Sequence, residues 1–194
     1  FLSEQAERHQ IWIGGTCPEI SAEAVAAGDP RPANTFVLAG PGGVVHRYRK
    51  IHPFTYAGED RYVRPGDQFV TVDIAGFRVS LFICYDLRFG DEFWQLANDT
   101  DLYLVPANWP AARRVAWTAL LQARAIENLA YVVGVNRVGS DGSIDYRGDS
   151  RIIDPLGEVL ATASHTESIL LADISTERVE QVRSRFGFLE DRRT

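Results

Sequence analysis

The chain has no methionine and only two cysteines, Cys17 and Cys84, in 194 residues. Two thiols cannot build the disulfide framework of a small secreted scaffold, and the count fits a reducing, cytoplasmic setting. A basic surplus is also lacking. The 20 Lys and Arg stand against 26 Asp and Glu, a formal net charge of -6, which is the wrong sign for a nucleic-acid or anionic-membrane surface. No apolar run approaches the roughly 20 residues that a membrane-spanning helix needs. The histidines, His9, His46, His52 and His165, are scattered without ligand spacing, so no metal site is expected. No glycine-rich phosphate loop appears, and no cofactor is expected. Residues 1–8 are polar and helix-like, without the apolar stretch of a signal peptide. With methionine absent, the expectation is a chain that opens part-way through its protein, with an N-terminal part upstream of Phe1; a processed terminus is the alternative, and composition does not separate the two.

What is present is enough for one domain, residues 1–194, with a sizeable core. Helical and strand patterns alternate. Residues 2–10 read as the end of a helix, followed by a strand at 11–13. Gly40-Pro41-Gly42-Gly43 separates two strand-like runs, 35–39 and 44–48, which is a hairpin signal. Residues 51–68 hold no clean period and read as a long loop, and such loops inside compact domains tend to be functional. Strand-type apolar runs follow at 70–74, 79–83, 102–105 and 131–135. Helical patterns occur at 91–97 and 111–128, the second with Val115, Ala116, Ala119, Ala123 and Ile126 as the expected inward face. Strands are expected again at 149–153, 159–162 and 169–174. A closing helix at 175–186 has Ser175 as N-cap and Glu177 in its first turn. This mixed order predicts an α/β fold with sheets covered by helices.

Two segments carry chemistry. In Leu81-Phe82-Ile83-Cys84-Tyr85-Asp86-Leu87-Arg88-Phe89 an apolar strand ends at a cysteine and a polar helix start follows. A thiol at such a strand-to-helix turn projects like the nucleophile of a hydrolase elbow, and the Tyr85 backbone N–H is placed to stabilise an oxyanion. Taken alone, however, the strand favours a buried structural cysteine. In Tyr48-Arg49-Lys50-Ile51-His52-Pro53-Phe54 a lysine sits at a strand end entering the long loop. Beside a thiol it would favour thiolate and donate to a tetrahedral oxyanion. An exposed surface lysine is the ordinary alternative. His52 reads as a hydrogen-bonded structural residue rather than a base.

Together these segments resemble the lysine and cysteine signatures of the nitrilase, or carbon–nitrogen hydrolase, superfamily. Asn34-Thr35, Pro106-Ala107-Asn108-Trp109-Pro110, Ala123-Arg124-Ala125-Ile126-Glu127-Asn128, residues 148–157 and the tail Phe188-Leu189-Glu190-Asp191-Arg192-Arg193 agree in order and context. The resemblance implies a four-layer α-β-β-α sandwich, incomplete at the N-terminus of this chain. It also implies a thioester mechanism, with Cys84 as nucleophile, Lys50 as cationic partner and Glu59 orienting the substrate. The family's general-base glutamate lies in an N-terminal Pro-Glu motif. Cys17-Pro18-Glu19 offers one, but its place just before the hairpin marks Glu19 as a decoy, with the base expected upstream of Phe1. The Cys-Tyr-Asp-Leu-Arg-Phe and Asn-Trp-Pro-Ala-Ala-Arg runs resemble the omega-amidase branch, which implies a small amide substrate, a dicarboxylic acid monoamide. Asn108, Trp109 and Arg113, with Arg114, are then candidates for substrate binding; both arginines read equally as an exposed helix face. A homodimer or larger homo-oligomer is implied as well. A different amidase of the superfamily, acting on deaminated glutathione or carbamoyl compounds, and a catalytically silent binding module are the alternatives.

Overall fold

The computed structural model describes residues 1–193, which form two compact units: residues 1–70 with 81–86, and residues 71–80 with 87 onward.

The first unit begins with α1 (Leu2–His9), stopped by Gln10 in the left-handed conformation (φ 52°), whose N–H returns to Ala6 and Glu7 carbonyls. An antiparallel sheet follows, β1 (Ile13–Glu19), β2 (Ala33–Ala39) and β3 (Val45–Arg49), in the order β1-β2-β3. The expected hairpin is present. Its turn needs Gly42 and Gly43 because both take positive φ, 74° and 76°. β1 starts at Ile13, where residues 11–13 were expected, and runs on through Pro18, which is tolerated because β1 is an edge strand. Between β1 and β2 lies the one-turn helix α2 (Ala22–Ala26), capped by Ser21 Oγ accepting from the Ala24 N–H.

Side chains alternate across the sheet, and the register Asn34↔Pro18, Phe36↔Tyr48 and Leu38↔His46 puts Asn34, Phe36, Leu38 and Tyr48 on one face. Phe36, Leu38 and Tyr48 are buried. Segment 81–86 lies against that face, where the Phe82 ring meets Tyr48 (5.9 Å) and Phe69 (6.3 Å). The loop 51–68 is not structureless; it contains two 3-10 turns, Thr55–Ala57 and Glu59–Arg61.

The second unit holds β4 (Thr71–Ile74), β5 (Phe77–Leu81), α3 (Gly90–Leu96), β6 (Leu102–Ala107), α4 (Arg114–Asn128), β7 (Tyr131–Asn136), β8 (Val138–Ser140), β9 (Asp145–Ile153), β10 (Val159–Ser164) and α5 (Thr176–Arg185). The sheet order is β10-β9-β7-β6-β5-β4, with β8 pairing β9. β6 and β7 are parallel, so they need the crossover that α4 provides.

The inward face of α4 differs from the expected one. Val115 is 76% exposed and Ile126 45%, while Trp117, Leu121, Arg124, Ala125 and Asn128 are buried. Leu121 and Trp117 fit over β7 because Gly134 carries no Cβ; one built there would lie 2.4 Å from Leu121 Cδ1. Residues 169–174 also differ. Ile169 (89% exposed) and Leu171 (85%) keep an alternating exposure but take no regular strand, since an extended segment becomes a strand only where another pairs with it. Ser175 caps α5 as expected, its Oγ accepting from the Arg178 N–H at 3.2 Å. Among the described residues, no helix is long and apolar enough to cross a membrane.

Candidate active site

Cys84 lies three residues past the end of β5, at the start of a 3-10 turn, Cys84–Arg88. Its φ is 50°. A non-glycine residue in that left-handed region costs about 1–3 kcal/mol and persists only where its surroundings enforce it. The enforcement comes from a clasp one residue before and two after: the Asp86 N–H donates to the Ile83 carbonyl at 3.1 Å, and the Ile83 N–H donates to Asp86 Oδ2 at 3.0 Å. Neither Cys84 nor Cys17 is bridged, and Cys84 is only partly buried, so it is not the sealed core thiol that the strand alone favoured.

Lys50 follows β3 directly, its N–H donating to the Asn34 carbonyl at 2.9 Å. The strand alternation therefore carries it to the face that holds Asn34 and Tyr48. Its side chain is 3% exposed, so it is not a generic surface charge. The ammonium meets Glu59 Oε2 at 2.5 Å. Glu59 Oε2 also accepts from the Phe54 N–H at 2.6 Å, and Oε1 takes a longer bond from Asn34 Nδ2 at 3.4 Å. Burial pushes the Glu59 carboxyl up, but the hydrogen bonds from Lys50 and Phe54, the Lys50 charge and the Asn34 amide outweigh it and hold the carboxyl below its ordinary range.

Phe54 links this pair to the cysteine turn, its ring centroid 4.8 Å from that of Tyr85. A second link runs through Asp86, whose carboxylate accepts from the Tyr48 hydroxyl (2.8 Å) and the His52 N–H (3.0 Å) and meets His52 Nδ1 at 3.1 Å. His52 is thus engaged with a buried acid, as its reading as a structural residue anticipated. Asp86 and Tyr48 carried no expectation of their own, although Asp86 stands inside the cysteine motif.

Glu19 is on the other face. Opposed residues share a face, and Glu19↔Ala33, Cys17↔Thr35 and Val37↔Arg47 define the side away from Lys50. There Glu19 pairs with Arg47 Nε at 2.8 Å.

The other candidates belong to the second unit. Asn108 is exposed and Trp109 buried. Asn136 fixes this loop from both sides, accepting from the Trp109 N–H (2.7 Å) and donating to the Trp109 carbonyl (3.1 Å). The Trp109 indole N–H donates to the Arg113 carbonyl, and the Arg88 guanidinium stacks 5.0 Å from the Trp109 ring centroid. Arg114 is committed to Asp149 by a bidentate pair at 2.9 and 2.7 Å, so a structural partner occupies the fork that a substrate carboxylate would need. Among the described residues, no group of three or more His, Cys, Asp or Glu is placed to hold a metal ion.

Comparison with known proteins gives a consistent result. The carbon–nitrogen hydrolase family model matches residues 1–184. An omega-amidase of Escherichia coli (strain K12), YafV, is 48% identical over 161 residues, covering 81% of this chain and 62% of its own length. The Yersinia enterocolitica omega-amidase YafV is 44% identical over 195 residues, covering 98% of this chain and 72% of its own. The chain thus spans 62% of the length of the first of these relatives. Among solved structures, XC1258 from Xanthomonas campestris, a CN-hydrolase superfamily protein with an arsenic adduct in its active site, superposes with a TM-score of 0.92 at 34% identity over all of this chain and 73% of its own. That likeness bears out the α/β sandwich expected from the sequence.

Proposed function

This chain belongs to the carbon–nitrogen hydrolase family, and we propose that it hydrolyses a terminal amide through a thioester on Cys84. The observation that carries the reading is the buried Lys50, paired with a partly buried Glu59, on the sheet face against which the Cys84 segment lies. In this reading the Cys84 sulfur attacks the amide carbon, and the Lys50 ammonium and Tyr85 N–H receive the developing oxyanion. The carbon–nitrogen bond breaks, and the nitrogen leaves as ammonia with the thiol proton. Water then cleaves the thioester, releasing the acid and restoring the thiol. Glu59 holds Lys50 in place and orients the substrate amide. The general base is assigned to none of the described residues; the face that Glu19 occupies and its Arg47 partner support leaving it out of this role.

The substrate class is a dicarboxylic acid monoamide, on the strength of the omega-amidases above and of a 2-oxoglutaramate amidase of Paenarthrobacter nicotinovorans, 36% identical over 200 residues. A deaminated glutathione amidase of Escherichia coli O157:H7 is less similar, 33% identical over 169 residues. Asn108, Trp109 and Arg113 are the proposed substrate-binding residues. Residues 1–194 are proposed as a single carbon–nitrogen hydrolase domain, working in the cytoplasm as a homodimer or larger homo-oligomer, which light scattering of the purified protein tests. The deciding experiment is ammonia release from 2-oxoglutaramate and from deaminated glutathione in parallel. A higher kcat/KM for 2-oxoglutaramate is expected, and the reverse order refutes the substrate assignment.

A further inference from the structure

Asp86 has no role in the chemistry just described, yet its carboxylate accepts from three separate parts of the chain. The residue is 0% exposed. Oδ2 takes the Tyr48 hydroxyl and the Ile83 N–H, and Oδ1 takes the His52 N–H and faces His52 Nδ1. These donors come from three places in the chain: Tyr48 from β3, His52 from the start of the loop that carries Glu59, and Ile83 from the approach to Cys84. Tyr48 and His52 flank Lys50 at two residues on either side. One side chain therefore grips the segment that presents the lysine at both ends, and the segment that presents the cysteine as well.

We propose that Asp86 is the positioning residue of the site, fixing the strained Cys84 elbow and the Lys50 backbone in one frame. The inference rests on the reading of Cys84 and Lys50 as nucleophile and cationic partner.

Two physical points single out the carboxylate. First, the left-handed Cys84 would relax if it were not held, and the reciprocal Ile83–Asp86 bonds bracket it. Second, only a carboxylate can accept on both sides. In asparagine one oxygen becomes an NH2 group. Turned toward Tyr48 it confronts the Ile83 N–H, and turned toward His52 it confronts the His52 N–H. The hydroxyl and the ring nitrogen can each reverse roles, but a backbone N–H cannot, so either orientation breaks one backbone bond. Asp86 itself is 0% exposed, so water does not readily replace that bond.

The test uses Asp86→Asn, Tyr48→Phe and Cys84→Ala, each checked for folding by circular dichroism. Turnover of 2-oxoglutaramate and iodoacetamide alkylation of Cys84 are then followed, with exposed Cys17 as the internal reference. A sub-ångström to ångström displacement of reacting groups should lower kcat of folded Asp86→Asn by about 10²-fold while KM stays within a few-fold. The Cys84-to-Cys17 alkylation ratio should fall with it, a change that a purely structural role would not produce. Tyr48→Phe keeps the ring in place and loses one hydrogen bond, for an expected loss of about tenfold in kcat. Folded Asp86→Asn with wild-type kcat and alkylation ratio overturns the proposal. Should Asp86→Asn fail to fold, wild-type kcat in Tyr48→Phe overturns it instead. Ammonia release surviving in Cys84→Ala would sink the underlying catalytic reading. Its loss there, alongside unchanged Asp86→Asn and Tyr48→Phe, would sink only the positioning role.

Discussion

Replacing Glu59 with glutamine removes one charge from a pair whose other member has almost no access to water. The Lys50 side chain is 3% exposed and that of Glu59 21%, at a separation of 2.5 Å. Breaking a fully buried pair by neutralising one partner costs about 3–5 kcal/mol. Glu59 is partly solvated, and glutamine keeps an oxygen for Lys50 or the Phe54 N–H, so about 2–3 kcal/mol is the better expectation. At about 2–4 °C per kcal/mol for a chain of this size, the melting temperature should fall by about 4–12 °C at pH 7. The pH dependence has a definite sign. The Glu59 carboxyl is held below its ordinary value of 4.5 in the folded state, so its contribution is complete above that value and is lost as pH falls through the folded pKa. The gap between wild type and Glu59→Gln should therefore be full at pH 7 and narrow below pH 4.5. Adding Lys50→Met should recover part of the loss, because no buried charge is then left without its counterion. Thermal unfolding by circular dichroism across this pH range reads all three. Equal melting temperatures at pH 7, or a gap that persists on acidification, would refute the reasoning.

Cys84→Ala should abolish ammonia release while the protein still folds, measured with a coupled ammonia assay; residual turnover near wild type would remove Cys84 from the mechanism. Cys84→Gly should melt about 2–4 °C above Cys84→Ala, since glycine relieves roughly 1 kcal/mol of left-handed strain at φ 50°. Lys50→Ala should cost at least about 10²-fold in kcat, the worth of one oxyanion donor, and Lys50→Arg should not restore it because a planar fork does not fit the place of a compact ammonium. Gly66→Ala puts a Cβ 2.2 Å from the Arg49 carbonyl oxygen, a backbone atom beside Lys50, so both stability and kcat should drop; wild-type values for both would show that the loop moves at little cost.

The sequence by itself determined the family, the hairpin turn, the Ser175 cap and the placing of a lysine at a strand end and of a cysteine at a turn. These are local features: turn geometry, capping and the spacing of a motif depend on residues within a few positions of one another. Strand alternation also told on Glu19. Once the register of β1, β2 and β3 is known, period two alone puts it on the face away from Lys50. What depends on distant partners was decided only by tertiary structure. The inward face of α4 departs from the expected Val115, Ala116, Ala119, Ala123 and Ile126 because polar Arg124 and Asn128 lie on the buried side. They are buried because Arg124 donates twice to the Leu87 carbonyl, and the Asn128 amide to the Arg124 carbonyl. Residues 169–174 alternate like a strand, but pairing rather than pattern makes one. For Arg114 the sequence left receptor and exposed helix face equally open, and only the fold shows Asp149, 35 residues away, holding it. Asp86 is one acid among many in the sequence. Its weight comes from donors at Tyr48, His52 and Ile83 converging on one buried carboxylate, and convergence across 38 residues of chain is a property of the packed structure alone.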